Sequence, residues 1–534
     1  MAASAKDILI RELKDTISEQ RQINKSLQTA LDNSNNQVAE LTVQIKLLNE
    51  QLEYMKRKLF GTSSEKRTSD TAGQLSLFDE PEKPETDILL KPDTVVKSHV
   101  RKPKATFDEK TKNLPVERVE VPLPEDEQFC SVCGTRLEVI GKEVVRKELE
   151  YTPATLKVVE YVSIHYGCPK CKTDAEKPNI IHSPVPPSLL GSYASPSVVA
   201  WVIYQKYVNG LPLYRQEKDW LQYGFELSRT TMANWVIGCT SAYLKVLYEY
   251  CHRLLIKREF AMADESPVQV LKEEGRDATA KSYMWLFRSG EDGTPPIILY
   301  KYAPTRSGNI ASEFLKGFKG YLMVDGYTGY NQVKDIRRCC CFAHIRRYFF
   351  DAIPKGKQHD ISHPAVQGVE YCDKLFAYER RFKEKGYSYA QLKNGRLKHE
   401  KPVIEAFLVW LENQNPVRGS KLDTAVKYAL NRRDYMMTYL EDGRCSLSNN
   451  LSEQKMKSFV IGRKGWLFCD TPDGAEASAI AYSFAEMALA NKLNVFSYIK
   501  YVLEQRPNEN MDDSELEKLM PWNENVIELC RLEK

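Results

Sequence analysis

"YLMVDGYTGYN", residues 321–331, runs apolar for four positions and then sets Asp325 against a glycine and two tyrosines. An Asp-Gly dipeptide is an ordinary way out of a strand, so the stretch alone predicts a buried strand followed by a turn. Its neighbours give it more meaning. Upstream, "EFAMADESPVQVL" (259–271), "SYMWLFRSG" (282–290) and "PIILYKYAP" (296–304) read as strands, and "NIASEFLKGF" (309–318) reads as a helix. Downstream, "RRCCCFAH" (337–344) reads as a further strand leading into the helix "IRRYFFDAI" (345–353).

That order matches an α/β ribonuclease-H-like fold, whose first and fourth strands are neighbours in the sheet. Asp264 and Asp325 fall on those two strands. Two carboxylates brought that close repel unless a cation lies between them, and Mg2+ (or Mn2+), which prefers hard oxygen ligands, suits the pair. Glu265 is set aside because adjacent strand residues point to opposite faces. A third acid is expected from "SLSNNLSEQKMKSFVIGRKGWLF" (446–468), where Ser448, Asn449 and Asn450 precede a helix with Glu453 in its first turns. Taken alone, Glu453 could equally form a solvated pair with Lys457. Lys457, Arg463 and Lys464 are phosphate-contact candidates, since no acid interrupts residues 455–464. The catalytic domain is predicted over 257–495, with a helical insertion at about 352–445 and a helical tail over 496–534.

The chain has 534 residues, too many for one core, and a net charge of only +4, so a case for DNA binding must rest on local basic clusters. No apolar run is long enough to span a membrane and the N-terminus lacks a secretory hydrophobic segment, which predicts a soluble cytoplasmic protein without a membrane partner. Thirteen cysteines in that compartment are expected to be thiols or metal ligands.

Residues 1–60 carry apolar heptad positions from Ile10 to Leu59, broken only by Gln20, Asn24 and Ser34, which predicts a self-associating coiled coil. Residues 61–123 are rich in Ser, Thr, Pro and charge and read as a linker without a core of its own. One apolar island interrupts it, "QLSLF", with Gln74, Leu75, Leu77 and Phe78. Within 124–185, Cys130 and Cys133 form one C-x2-C knuckle and Cys168 and Cys171 another, with strand-like residues between them. Two such knuckles on a hairpin predict a zinc ribbon; a redox pair is the rival for either one alone. Residues 190–256 look helical. A helix from about Tyr214 stops near Gly224, and Ser228 caps a second that would present Arg229, Thr230, Thr231 and Asn234 to DNA. Two packed helices with no DNA role are the alternative.

"MADESPVQVL", "YLMVDGYTGYN", "CFAHIRRYFFDA" and "LSNNLSEQKMKSFVIGRKGWLF" resemble the bacterial insertion-sequence transposases of the family numbered sixty-six. So do the C-terminal "PDGAEASAIAYSFAEMALANKLNVFSYIKYVL" and "LMPWN", the "RKLFGTSSEK" that ends the coiled coil, the zinc ribbon and the helix-turn-helix. The resemblance implies a DDE transposase with Asp264, Asp325 and Glu453 as its triad, acting on element ends and target DNA in the nucleoid, with accessory proteins of the same element as partners. Cys341 and His344 resemble a C-x2-H element of several such enzymes, and packing is their alternative role. Where relatives often have "ERAIRP", this chain has "EQKMKS". "QLSLF" resembles the motif by which bacterial polymerases and repair proteins bind the replication sliding clamp. Two rival functions remain at this level: a nuclease or resolvase on the same fold, and a non-catalytic DNA-binding regulator.

Overall fold

Short, mostly apolar runs form three strands, β3 (Phe260–Gln269), β4 (Lys281–Ser289) and β5 (Ile298–Ala303), which pair antiparallel as a meander, with β4 in the middle buried on both faces. They belong to a computed structural model that describes residues 187–532, the segment 156–161, two short antiparallel strands, β1 (His165–Gly167) and β2 (Ile180–His182), and six helical residues between Gln20 and Gln28. The rest of the heptads, the linker with its "QLSLF" island and the four knuckle cysteines lie outside the described residues. Two compact units divide the chain, each assembled from separate stretches.

The first unit holds β3–β5. Its register aligns Asp264 with Leu286 and Leu286 with Tyr300, so these three share one face, and Glu265, Trp285 and Lys301 share the other. Helix α11 (Asn450–Trp466) lies on the Asp264 face. Arg288 donates to the Leu451 carbonyl at 3.3 Å, the Tyr300 hydroxyl to the Lys455 carbonyl at 2.6 Å, and Arg463 to Ser266 Oγ at 3.4 Å. On the opposite face the Phe287 ring stacks on Phe314 of α5 (Gly308–Phe314) at 4.2 Å.

The same unit takes in the N-terminal helices α1 (Pro196–Tyr207), α2 (Leu213–Gln222), α3 (Arg229–Cys239) and α4 (Lys245–Ile256). A π-helical turn, Thr240–Leu244, carries α3 directly into α4. C-terminal helices α12 (Pro472–Ala490), α13 (Val495–Gln505), α14 (Asp513–Glu517) and α15 (Glu524–Cys530) pack with them. Small residues let α12 approach closely. It is buried almost throughout, and its Ser483 hydroxyl accepts the Tyr300 N–H at 2.8 Å. Tyr207 meets Ser478 at 3.1 Å and Tyr250 donates to Glu517 at 2.8 Å, so the regions the sequence separates as a helical module and a tail share one core with the strands.

The second unit holds the parallel pair β6 (Tyr321–Val324) and β7 (Arg337–Cys340) and the helices α6 (Phe342–Asp351), α7 (Pro364–Glu384), α8 (Tyr389–His399), α9 (Lys401–Glu412) and α10 (Lys421–Leu430). Pro364 at the first position of α7 and a Ser388–Gln391 capping box on α8 start two of these helices. Phe349, Phe407 and Trp410 form an aromatic core among α6 and α9. Beside it lies a buried polar network. Arg396 is bidentate to Glu379 at 2.6 and 2.9 Å, and the Tyr439 hydroxyl donates to Glu400 at 2.6 Å. Glu400 is fully buried; desolvation, reinforced by the neighbouring Glu379 charge, pushes its carboxyl up to about 8. With antiparallel and parallel strands and helices against both, the architecture is α/β.

Candidate active site and DNA-facing elements

Asp264 is half-buried on β3, and its Oδ1 accepts the Glu265 N–H at 2.9 Å. Glu265, one residue on, serves differently. Its carboxylate is 2% exposed, held by Arg306 through Nε at 2.9 Å and Nη2 at 2.6 Å, and by the Tyr330 hydroxyl. A carboxylate so enclosed is a structural ion pair.

Glu453 is half-buried in the first turns of α11. Ser452, Met456 and Phe459 form the buried face of that helix, and Lys455 reaches Glu486 of α12 at 2.7 Å, fixing the rotation that sets Glu453. Asp264 and Glu453 therefore belong to one unit, with the helix of the second on the strand face of the first.

Asp325 belongs to the other unit, one residue beyond β6. Its Oδ1 accepts the Tyr327 N–H at 2.8 Å, the side-chain turn that an aspartate before glycine commonly makes. Two arginines clasp the main chain here. Arg338 of β7 donates to the carbonyls of Asp325 at 3.3 Å and Tyr327 at 3.2 Å, its guanidinium 4.8 Å from the Tyr435 ring centroid. Arg432, after α10, donates to the Gly326 carbonyl at 2.8 Å and to that of Tyr428, whose ring lies 3.3 Å below its guanidinium. Three successive carbonyls thus each meet a guanidinium N–H. Burial pushes the Tyr428 phenol up, with Arg432 opposing and the Asp325 charge reinforcing the shift.

Sequence reasoning misses Arg338, Arg432 and Tyr428. Only the glycine after Asp325 carries a signal, since a close approach of another group to the main chain demands glycine.

In the helix-turn-helix stretch, Gly224 takes φ +74° between α2 and α3, and Ser228 caps α3 by accepting the Thr231 N–H at 3.1 Å. Glu217 ties the helices together by accepting the Arg229 N–H at 3.0 Å. Arg229, Thr230 and Asn234 are exposed, Thr231 is half-buried, and Met232, Trp235 and Val236 face the core. On α11, Lys457 and Lys464 are exposed, whereas Arg463 is half-buried and turned to β3, where burial lowers its pKa.

Cys341 is buried at the start of α6, where the Asn449 N–H donates to its sulfur at 3.2 Å; His344 is half-buried one turn on. Among the described residues all nine cysteines are buried and none forms a disulfide. No described helix is long and apolar enough to cross a membrane.

Comparison with known proteins places these observations in a class, the transposases. Residues 191–477 match the profile of the Transposase IS66 family, and 127–172 match that of the zinc-finger binding domain of transposase IS66. Residues 47–119 match a third profile, described as Transposase C of IS166 homeodomain. Among curated relatives, uncharacterized protein y4jD of Sinorhizobium fredii (strain NBRC 101917 / NGR234) is 28% identical over 430 residues, 77% of this chain and 81% of its own. From the same organism, uncharacterized protein y4qI is 30% identical over 342 residues, 61% of this chain and 62% of its own. The chain belongs to the IS66 transposase family. It is a DNA-binding transposase, and the zinc-finger match, which spans all four knuckle cysteines, supports a structural zinc. The first profile begins before α1, so the family's own segment includes the helix-turn-helix together with the strands.

Proposed function

We propose that the chain cuts the ends of its insertion sequence and joins the freed 3′-hydroxyl to target DNA, with Asp264, Asp325 and Glu453 as the catalytic carboxylates of a ribonuclease-H-like domain. The observation that carries this reading is the placement of α11 and its Glu453 on the Asp264 face of the β3–β5 meander, in a chain of a transposase family.

The donor set fits Mg2+ or Mn2+. All three carboxylates are half-buried hard oxygen donors. Bound divalent cations would offset the charge developing on the phosphoryl group during an in-line displacement. The protein's part is to fix those oxygens. Main-chain donors from Glu265 and Tyr327 orient Asp264 and Asp325, and the Lys455–Glu486 pair sets the rotation of α11. In strand transfer the 3′-hydroxyl oxygen bonds to a target phosphorus and loses its proton. The bond from that phosphorus to the target 3′-oxygen breaks, and the departing oxygen is protonated.

Arg229, Thr230, Thr231 and Asn234 of α3 and Lys457 and Lys464 of α11 form the DNA-facing set in this reading, with Arg463 supporting α11 from the strand side. Cys130, Cys133, Cys168 and Cys171 bind the zinc, the heptads join copies of the chain, and "QLSLF" docks on the replication sliding clamp.

The test uses the full-length protein, a duplex carrying the inverted-repeat end, and Mg2+. Asp264→Asn, Asp325→Asn and Glu453→Gln should each lose cleavage and keep end binding. Strand transfer retained by both aspartate variants would overturn the triad. A precut end separates this reading from a nuclease or resolvase, which would leave that end unjoined.

A further inference from the structure

Helix α11 ends in a backbone conformation that its sequence does not favour. Leu467, the residue after the helix, takes φ +65°, closing the last turn by donating its N–H to the Arg463 carbonyl at 2.7 Å. Glycine is the usual occupant of such a position, because a side chain there crowds the main chain. A branched apolar residue in this region is an outlier, and such outliers gather at working surfaces. Leu467 is 65% exposed, and Phe468 beside it is 43% exposed. Neither conformational preference nor burial accounts for this pair.

The turn is held firmly from both sides. Before it runs α11, the helix of Glu453. After it, the Cys469 N–H donates to the Gln269 carbonyl at 2.9 Å and the Leu271 N–H to the Cys469 carbonyl at 3.0 Å, joining the chain to the end of β3, the strand of Asp264. The two elements carrying these acids thus converge on one rigid, apolar tip. Along α11 an exposed stripe with the helical repeat, Lys457, Ile461 and Lys464, leads from the Glu453 end to that tip. The stripe is basic and free of acids, which suits a phosphate backbone and opposes a basic partner.

We propose that Leu467 and Phe468 form a wedge that enters the stack of the element-end duplex a helix length, roughly 20 Å, from Glu453 and unstacks one base step there, while Lys457 and Lys464 hold the phosphates in between. Apolar side chains inserted between base steps are an established way to kink a duplex, and the distortion admits the strand to a site it could not otherwise reach. This rests on Asp264 and Glu453 marking the cleavage site.

The experiment uses the full-length protein without divalent metal and end duplexes carrying the fluorescent base aminopurine at successive positions across the element junction. Binding is followed separately by anisotropy. The wild-type protein should raise aminopurine fluorescence several-fold at one position near the junction. Phe468→Ala and Leu467→Gly should remove that rise while binding is retained, and Leu467→Gly should unfold at the same or a higher temperature, because glycine relieves the strained turn. Binding with no rise at any position, or a rise unchanged in both variants, overturns the wedge and leaves the transposase reading standing. Absence of end binding by the wild type would instead remove the reading on which the wedge rests. If both variants change the sedimentation mass of the protein without DNA, the tip is a contact between copies and the proposal fails.

Discussion

The guanidinium of Arg432 rests against the main chain of Gly326, donating to its carbonyl oxygen at 2.8 Å, and a Cβ on Gly326 would overlap that guanidinium. Arg432 is only 6% exposed, and its guanidinium also meets the Tyr428 carbonyl and ring. The glycine after Asp325 is thus a seat for a distant side chain. Gly326→Ala should cost about 1–3 kcal/mol by overpacking, read as a fall in the unfolding midpoint. Arg432→Ala, leaving a carbonyl without its donor, should cost a similar ~1–3 kcal/mol. Since the methyl and the guanidinium compete for one space, the double variant should be less destabilised than the sum of the singles. Strict additivity would show that the two do not interact.

Glu400 gives the second unit a dependence on pH. Its folded-state carboxyl, at about 8, lies above the ordinary 4.5, so the folded chain holds a proton that the unfolded chain releases. The sign follows from linkage: stability is greatest below the unfolded value and falls as pH rises from there through the folded value. Glu400→Gln, which mimics the protonated acid, should flatten this slope and leave the variant more stable than wild type above pH ~8. Thermal unfolding at a series of pH values checks it, and parallel curves for the two proteins would exclude the assignment.

Purified protein should carry one structural zinc, held by Cys130, Cys133, Cys168 and Cys171. Elemental analysis finding none would refute this. Serine at any one of the four should release the metal and weaken end binding, because a structural zinc site contributes folding free energy directly.

A peptide of residues 70–82, containing "QLSLF", should bind purified sliding clamp with a dissociation constant in the micromolar range, about −8 kcal/mol. Leu77→Ala with Phe78→Ala should abolish that binding and, in the full-length protein, leave end cleavage intact. A wild-type peptide silent at high micromolar clamp would exclude the docking role.

Much of this was legible in the chain itself, for local reasons. The short apolar runs in "EFAMADESPVQVL" and "SYMWLFRSG" mark β3 and β4 because a buried strand is short and apolar on both faces, and Ser228 announces α3 because its hydroxyl satisfies an N–H that the first turn leaves open. The acids Asp264, Asp325 and Glu453 stand out because carboxylates within a strand, just after one and in a first helical turn are visible without knowing what packs on them. Only the tertiary structure decided the rest. Arg432 and Gly326 are 106 residues apart in sequence, and no periodicity links them. Glu400 looks like any helix-surface glutamate until burial beside Glu379 keeps it protonated. Leu467 is an apolar residue that the end of α11 turns outward in a glycine-like conformation, which nothing local in the sequence announces. Propensity and period act over a few neighbouring residues, whereas desolvation, charge pairing and close approach depend on which distant residues the fold brings together.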